Sequence, residues 1–71
     1  MYRFFVPGLS LQPGAVVSIE ALAHQLHMVL RLQPGDQVAL LDDTGRLAVA
    51  QLESLSRTHA TARLLTVQEG T

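Results

Sequence analysis

The sequence predicts a mostly β fold: a small closed or half-closed barrel of short antiparallel strands with one helix across an end. Three observations predict it. Apolar and polar residues alternate with the period of a strand in several short stretches, one stretch alone has the helical period, and turn signals rich in Gly separate them. Because one helix cannot cover an open sheet, the strands are expected to curl around a shared core.

Two short strands are predicted before the helix. Residues 3–6 form the first strand and residues 15–17 the second. One Pro-Gly turn signal, at residues 7–8, follows the first strand, and another, at residues 13–14, precedes the second. Phe4 and Phe5 point to opposite faces of the first strand, because side chains alternate along a strand. One of the two rings is therefore expected to enter the core.

The helical stretch covers residues 18–31. Ser18 is the expected N-cap, Glu20 lies in the first turn, where the helix dipole favours an anion, and Arg31 lies at the end that favours a cation. One apolar stripe is expected to face the core: Ile19, Leu22, Ala23, Leu26, Val29 and Leu30. A Pro-Gly-Asp signal then ends the helix.

The opposite side of the helix carries an unusual set of side chains. Glu20, His24, His27 and Arg31 fall within about 60° of one another on a helical wheel. A solvated face normally carries scattered Lys and Glu, whereas imidazole and guanidinium groups donate hydrogen bonds to phosphates and base edges. The two histidines and the arginine are therefore candidate nucleic-acid contacts.

The clearest hairpin follows the helix. Residues 37–41 and 46–52 alternate in polarity and flank the loop Asp-Asp-Thr-Gly, in which Gly45 is placed for a positive φ. A last strand is predicted at residues 60–67. The predicted order of elements is therefore β-β-α-β-β-β.

Composition limits the organisation and the partners of the chain. At 71 residues, we expect one domain over residues 1–67, with the polar residues 68–71 beginning a linker. The absence of cysteine excludes disulfides and thiolate metal sites. A net charge of −1, with five Arg and no Lys, is not typical of a strong nucleic-acid binder, so any RNA contact must be local. No membrane-spanning run or signal-peptide pattern occurs, and a cytoplasmic location is expected.

Metal and catalytic sites are not predicted. His24, His27 and His59 could suggest a metal site, but no acidic or thiolate ligand accompanies them at a recognised spacing. We expect solvated helix histidines, one of them near the acidic residue of the first turn. Asp42 and Asp43 are expected to form the turn rather than a catalytic carboxylate pair. No nucleophile–base pair, phosphate loop or nucleotide fingerprint is present, so no catalytic or cofactor-binding residue is predicted in this chain.

Several of these motifs occur together in one known family. They are Arg3-Phe4-Phe5-Val6 at the start, His24 through Val29-Leu30-Arg31, Gly35-Asp36 before a strand, and the hairpin with Asp42, Asp43 and Gly45 followed by Ala50 and Leu52. In this order they make almost the whole chain resemble the N-terminal domain of the RsmE family, the 16S rRNA (uracil-N3) methyltransferases. Gln25 stands where family members usually carry His. Arg31 is therefore better supported as a family-like residue than either helix histidine.

The resemblance implies a PUA-like β-barrel that recognises 16S rRNA in the small ribosomal subunit. It also implies a C-terminal SPOUT domain, absent from this chain, which binds S-adenosylmethionine and transfers the methyl group. The 71-residue chain alone is accordingly not expected to be an enzyme or to hold a cofactor. The candidate RNA-binding residues are Arg3, Arg31, His24 and His27.

Two functions remain open from the sequence. In the first, the domain positions rRNA for a methyltransferase; in the second, it is a docking or dimerisation barrel that makes little RNA contact of its own. Arg31 could contact rRNA, or it could pair with Asp36 or a backbone carbonyl at the helix end. Arg3 could contact RNA, serve as a charge on an edge strand, or contact the catalytic domain. The phenylalanine outside the core could stack on a base but more often buries against a partner. Net charge favours docking, whereas the polar helix face and the resemblance favour RNA recognition.

Overall fold

A computed structural model describes residues 2–9 and 11–69 and contains the elements in the predicted order. The strands are β1 (Arg3–Phe5), β2 (Val16–Ser18), β3 (Gln37–Leu41), β4 (Arg46–Leu55) and β5 (Ala60–Glu69). Between β2 and β3 lie helix α1 (Glu20–His24) and a π-helical segment (Gln25–Val29) that continues it directly. The predicted fold class, mostly β with one helix, is confirmed.

The five strands form one mixed sheet in the order β1-β3-β4-β5-β2. All neighbouring strands are antiparallel except β1 and β3, which are parallel. The chain leaves β1, crosses to the opposite edge to form β2, and returns through the helix to place β3 beside β1. The sheet is therefore barrel-like without closing, because β1 and β2 are its two unpaired edges within the described part of the chain.

The core lies between the inner face of the sheet and the helix. Phe4 is the inward phenylalanine of β1, and Leu26 is the most deeply buried large side chain of the helical region. Fully buried alanines on the two longest strands, Ala48, Ala50, Ala60 and Ala62, pack in the same cluster. Because alanine leaves room above a sheet, the helix can approach β4 and β5 closely.

The helix begins and ends at different residues from those predicted. Ser18 is not its N-cap but the last residue of β2, because it pairs with Thr61 and the next amide, that of Ile19, donates to the Ala60 carbonyl at 2.9 Å. The N-cap position belongs to Ile19, without a side-chain hydrogen bond. At the other end, the helical region stops at Val29. The prediction that the helix extends to Arg31 is therefore wrong.

The wider π-helical turn explains why one stripe residue is misplaced. The Leu30 amide donates to the Gln25 carbonyl at 2.9 Å, a five-residue step that rotates the following side chains away from their α-helical positions. Val29, predicted to be buried, is 64% exposed. Leu30 packs against the core as predicted, and Leu32, which was not in the predicted stripe, also packs there.

The strands after the helix match the prediction closely. β3 has its predicted bounds, while β4 and β5 extend further, so that Gln68 and Glu69 belong to β5. The rest of the expected linker, residues 70–71, lies outside the described residues. Two register shifts interrupt the β4–β5 pairing, and such bulges bend and twist long strands.

Asp42 closes the β3–β4 hairpin, as predicted for a turn-forming residue. Its Oδ1 accepts hydrogen bonds from the Thr44 amide at 2.9 Å, the Thr44 hydroxyl at 2.7 Å and the Arg46 amide at 2.9 Å. Gly45 adopts φ 88°, the positive value expected for it. Burial alone would raise the pKa of Asp42, but these hydrogen bonds and the positive charge of Arg46 lower the pKa below its usual value.

We expect Leu26→Ala to reduce the free energy of unfolding by about 2–5 kcal/mol, because it leaves a cavity in a fully buried site. The matched variant Val29→Ala, on the same helical region, should change stability by less than about 0.5 kcal/mol. Chemical denaturation of both variants measures the difference. Equal effects of the two substitutions would contradict the packing described above.

The lowered pKa of Asp42 predicts acid sensitivity. The ionised carboxylate stabilises the fold above the pKa of the unfolded chain, and this contribution is lost as the pH falls through the lower pKa of the folded state. Asp42→Asn keeps an acceptor oxygen but cannot titrate, so its stability should fall less steeply between about pH 5 and pH 2. Denaturation midpoints across this pH range test the prediction, and equal slopes for the wild type and Asp42→Asn would contradict it.

Candidate nucleic-acid interface

The four candidate RNA-binding side chains are all exposed. His24 ends α1, His27 lies in the π-helical segment, and Arg31 follows two residues beyond it. Arg3 lies apart from them in sequence and element, on the edge strand β1. The structure therefore groups three candidates at the helical region and its exit, and places the fourth on the sheet.

Arg31 has an unusual backbone conformation. Its φ of 55° is the only positive φ of a non-glycine residue in the described part of the chain. The Leu32 amide, which follows it, donates to the Leu26 carbonyl at 2.9 Å and so closes the end of the helical region. Glycine is the usual residue at such a helix end, since other L-residues are disfavoured in the left-handed conformation. Arg31 therefore carries a local conformational cost that glycine would not.

Ion pairing divides the five arginines into two groups. Arg63 Nε donates to Glu53 Oε2 at 2.9 Å, and Arg46 lies 3.8 Å from Glu69. The other three, Arg3, Arg31 and Arg57, are exposed and form no ion pair within residues 2–9 and 11–69. Arg57 was not predicted as a candidate. The sequence signal that could have identified it is its position in the turn between β4 and β5, where side chains are usually exposed.

Glu20 pairs with a different histidine from the one expected. Its Oε1 lies 3.2 Å from Nδ1 of His59, which the β4–β5 turn brings to the start of the helix. The expectation of a helix histidine beside Glu20 is therefore not met. Within the described residues, no side-chain hydrogen bond or ion pair involves His24 or His27, and no group of three or more His, Asp or Glu side chains is arranged to hold a metal.

A groove of about 380 Å³ separates the end of β1 from the start of the helix. Residues 5–9 and 18–22 line it, and its side chains are mostly apolar. Glu20 is the charged residue of this lining, and no lining residue offers a positive charge to a phosphate. RNA backbone contacts are therefore better served by the exposed arginines than by this groove.

No helix in the described residues is long and apolar enough to cross a membrane.

Comparisons with known proteins agree with this architecture. Residues 26–65 match the family of RNA methyltransferase PUA domains. The ribosomal RNA small subunit methyltransferase E of Neisseria gonorrhoeae, solved bound to S-adenosylmethionine, superposes with a TM-score of 0.86 at 30% identity, over 96% of this chain and 28% of that one. A predicted RNA methyltransferase of Thermotoga maritima superposes with a TM-score of 0.78 at 30% identity. The match covers 100% of this chain and 32% of that protein.

The present chain thus spans about a third or less of the length of these two proteins. A search among curated proteins found no match. The family match covers more than half of the chain, from the buried helix residue Leu26 to the middle of β5, and includes Arg31. The chain therefore belongs to the family of RNA methyltransferase PUA domains.

Proposed function

We propose that this domain recognises 16S rRNA for a uracil-N3 methyltransferase and positions the RNA for a separate catalytic domain. The observation that carries the proposal is Arg31, which lies inside the family match, is exposed, and holds a backbone conformation that disfavours arginine. Local preferences are broken most often at functional sites, so this local cost supports a function for the Arg31 side chain. Glycine would close this helix end better but offers no side-chain hydrogen-bond donor.

The chemistry of Arg31 suits phosphate or base-edge recognition. Guanidinium donates two parallel hydrogen bonds to a phosphate or to a guanine edge, which an ammonium group cannot do in the same geometry. Because Arg31 is exposed and no described carboxylate pairs with it, binding RNA requires no ion pair to break. His24 and His27, exposed on the preceding helical turns, are secondary contacts in this proposal.

The number of available arginines sets the strength of RNA binding. Three arginines, Arg3, Arg31 and Arg57, are free of ion pairs within the described residues, and the net charge of the chain is −1. Each neutralised phosphate on single-stranded RNA contributes about 0.7 to the slope of log affinity against log salt concentration. The domain should therefore bind rRNA weakly by itself and act as a positioning module.

Catalysis belongs to other parts of the full protein in this proposal. The relative from Neisseria gonorrhoeae is bound to S-adenosylmethionine and is about three times as long as this chain. We assign the cofactor, the methyl transfer and a SPOUT-type catalytic domain to that additional length, with the small ribosomal subunit in the cytoplasm as the substrate. The second candidate function, a docking or homodimerisation barrel, is favoured by the exposed ring of Phe5.

We expect Arg31→Gln to weaken binding of a 16S rRNA fragment and to reduce the salt slope by about 0.7 to 0.9, since one phosphate contact is lost. Arg63→Gln is the matched control, because the guanidinium of Arg63 is held by Glu53. Fluorescence anisotropy titrations at several salt concentrations measure both quantities. If the two variants behave alike, Arg31 is not an RNA contact.

Arg31→Gly separates the role in folding from the role in binding. Glycine adopts the left-handed conformation without a Cβ clash, so we expect the free energy of unfolding to rise by about 0.5–1 kcal/mol. The same variant should bind the rRNA fragment as weakly as Arg31→Gln does. Denaturation and anisotropy on one preparation give both values, and unchanged RNA affinity would assign Arg31 to helix termination alone.

A further inference from the structure

The outer face of the sheet carries an apolar patch that the RNA proposal does not use. We define the outer patch as Phe5, Ala39, Leu41, Leu47 and Val49. The strand register aligns Phe5 with Leu41 and Leu41 with Leu47, and it aligns Ala39 with Val49 in the neighbouring row. None of the five belongs to the core cluster or packs against it. They therefore form a second apolar surface on the side of the sheet away from the core. Phe5, on the edge strand, also borders the groove beside the start of the helix.

The patch covers only one half of this face. In the other half, the register aligns Gln37 with Gln51, Gln51 with Arg63, and Arg63 with Val16 of the opposite edge strand. Polar side chains dominate that row, and Arg63 is held in an ion pair. The apolar half lies toward β1 and the β3–β4 hairpin, where Phe5 is 62% exposed. The exposed apolar side chains of this face are therefore concentrated at its β1 side.

The size of the outer patch argues against a free dimer. Stable interfaces between separate molecules bury roughly 800 Å² on each partner, whereas Ala39 is already buried and Leu41, Leu47 and Val49 are partly covered. A partner tethered to the same chain needs less area, because the tether supplies a high effective concentration. The small patch therefore fits a contact within one polypeptide.

The course of the chain points to the same occupant. Gln68, near the end of β5, lies opposite Leu47 of the outer patch. A segment that continues from β5 thus starts beside the patch, and the solved relatives are about three times as long as this chain. Arg3 lies in the row of Ala39 and Val49 and adds a positive charge at the border.

We propose that the outer patch docks a further domain of the same polypeptide, which follows β5 and presents an apolar surface with a carboxylate facing Arg3. The docking fixes the orientation of the RNA-binding arginines relative to that domain. The patch is separate from Arg31, so this inference stands independently of the Arg31 contact, but it assigns Arg3 to domain docking rather than to RNA.

The test uses thiol labelling, because the chain has no cysteine. A Val49→Cys variant reports on the outer patch, and Val16→Cys reports on the polar half of the same face. Each is made in the 71-residue chain and in a longer polypeptide. In the latter, this chain replaces the equivalent domain of the Neisseria gonorrhoeae relative, whose own cysteines are changed to serine. Preparations of the longer protein that bind S-adenosylmethionine are used, so that the attached domain is known to be folded.

We expect labelling at position 49 to be slower in the longer protein by at least about tenfold, with equal rates at position 16 in the two proteins. Adding Phe5→Ser should return the rate at position 49 to that of the same double variant in the short chain. Equal labelling at position 49 in both proteins overturns the proposal. Protection in the short chain that grows with protein concentration would assign the patch to a second copy, and protection by added 16S rRNA would assign it to RNA. Either result also overturns it, while leaving the salt-slope test of Arg31 unaffected.

Discussion

The pairing of β4 with β5 is the constraint on which the rest of the structure depends. These two ten-residue strands form the longest ladder of the sheet, and both edge strands are positioned through them or through β3. Their inward residues are largely alanine, whose small side chains leave space between the sheet and the helix. The Leu26 side chain fills part of this space in the core. Bulges in the ladder add the curvature that a half-closed sheet needs around a single helix.

This close packing has a consequence at the end of the helix. Leu26 lies in the core, and Leu30 and Leu32 also pack against it. An unbroken α-helix through residue 32 would not place all three side chains on one side. A π-helical turn followed by a left-handed residue achieves it. Arg31 occupies that left-handed position, so the packing of the core determines how the main candidate for RNA binding leaves the helix.

Sequence patterns predicted the elements whose stability is local. The β3–β4 hairpin was predicted with its loop, since Asp42 and Gly45 determine the turn by their own backbone chemistry. The parallel pairing of β1 with β3 could not be predicted, because neither strand contains a signal for its partner. Ser18 has the composition of an N-cap, but the backbone bond from Ile19 to Ala60, a residue distant in sequence, keeps this segment in the sheet.

The candidate site was predictable to a similar degree. Exposure of the four candidate residues followed from polarity, whereas the helical wheel misplaced Arg31 because the wheel assumes α-helical spacing throughout. The contact between Glu20 and His59 joins residues far apart in sequence, and no local pattern indicates it. Likewise, only the strand register shows that Phe5, Leu41 and Leu47 lie in one row, since they come from three different strands.

The two proposals, weak RNA binding and docking through the outer patch, are physically connected. Two of the five arginines are held by glutamates, so the remaining electrostatic attraction to RNA is small, and affinity alone cannot fix the RNA in a reactive position. A catalytic domain held rigidly against the outer patch would lose less orientational freedom when the RNA binds both domains. Positioning by a weak module therefore requires a defined interface with its neighbour, and the sheet supplies an apolar surface on the face that the helix leaves uncovered.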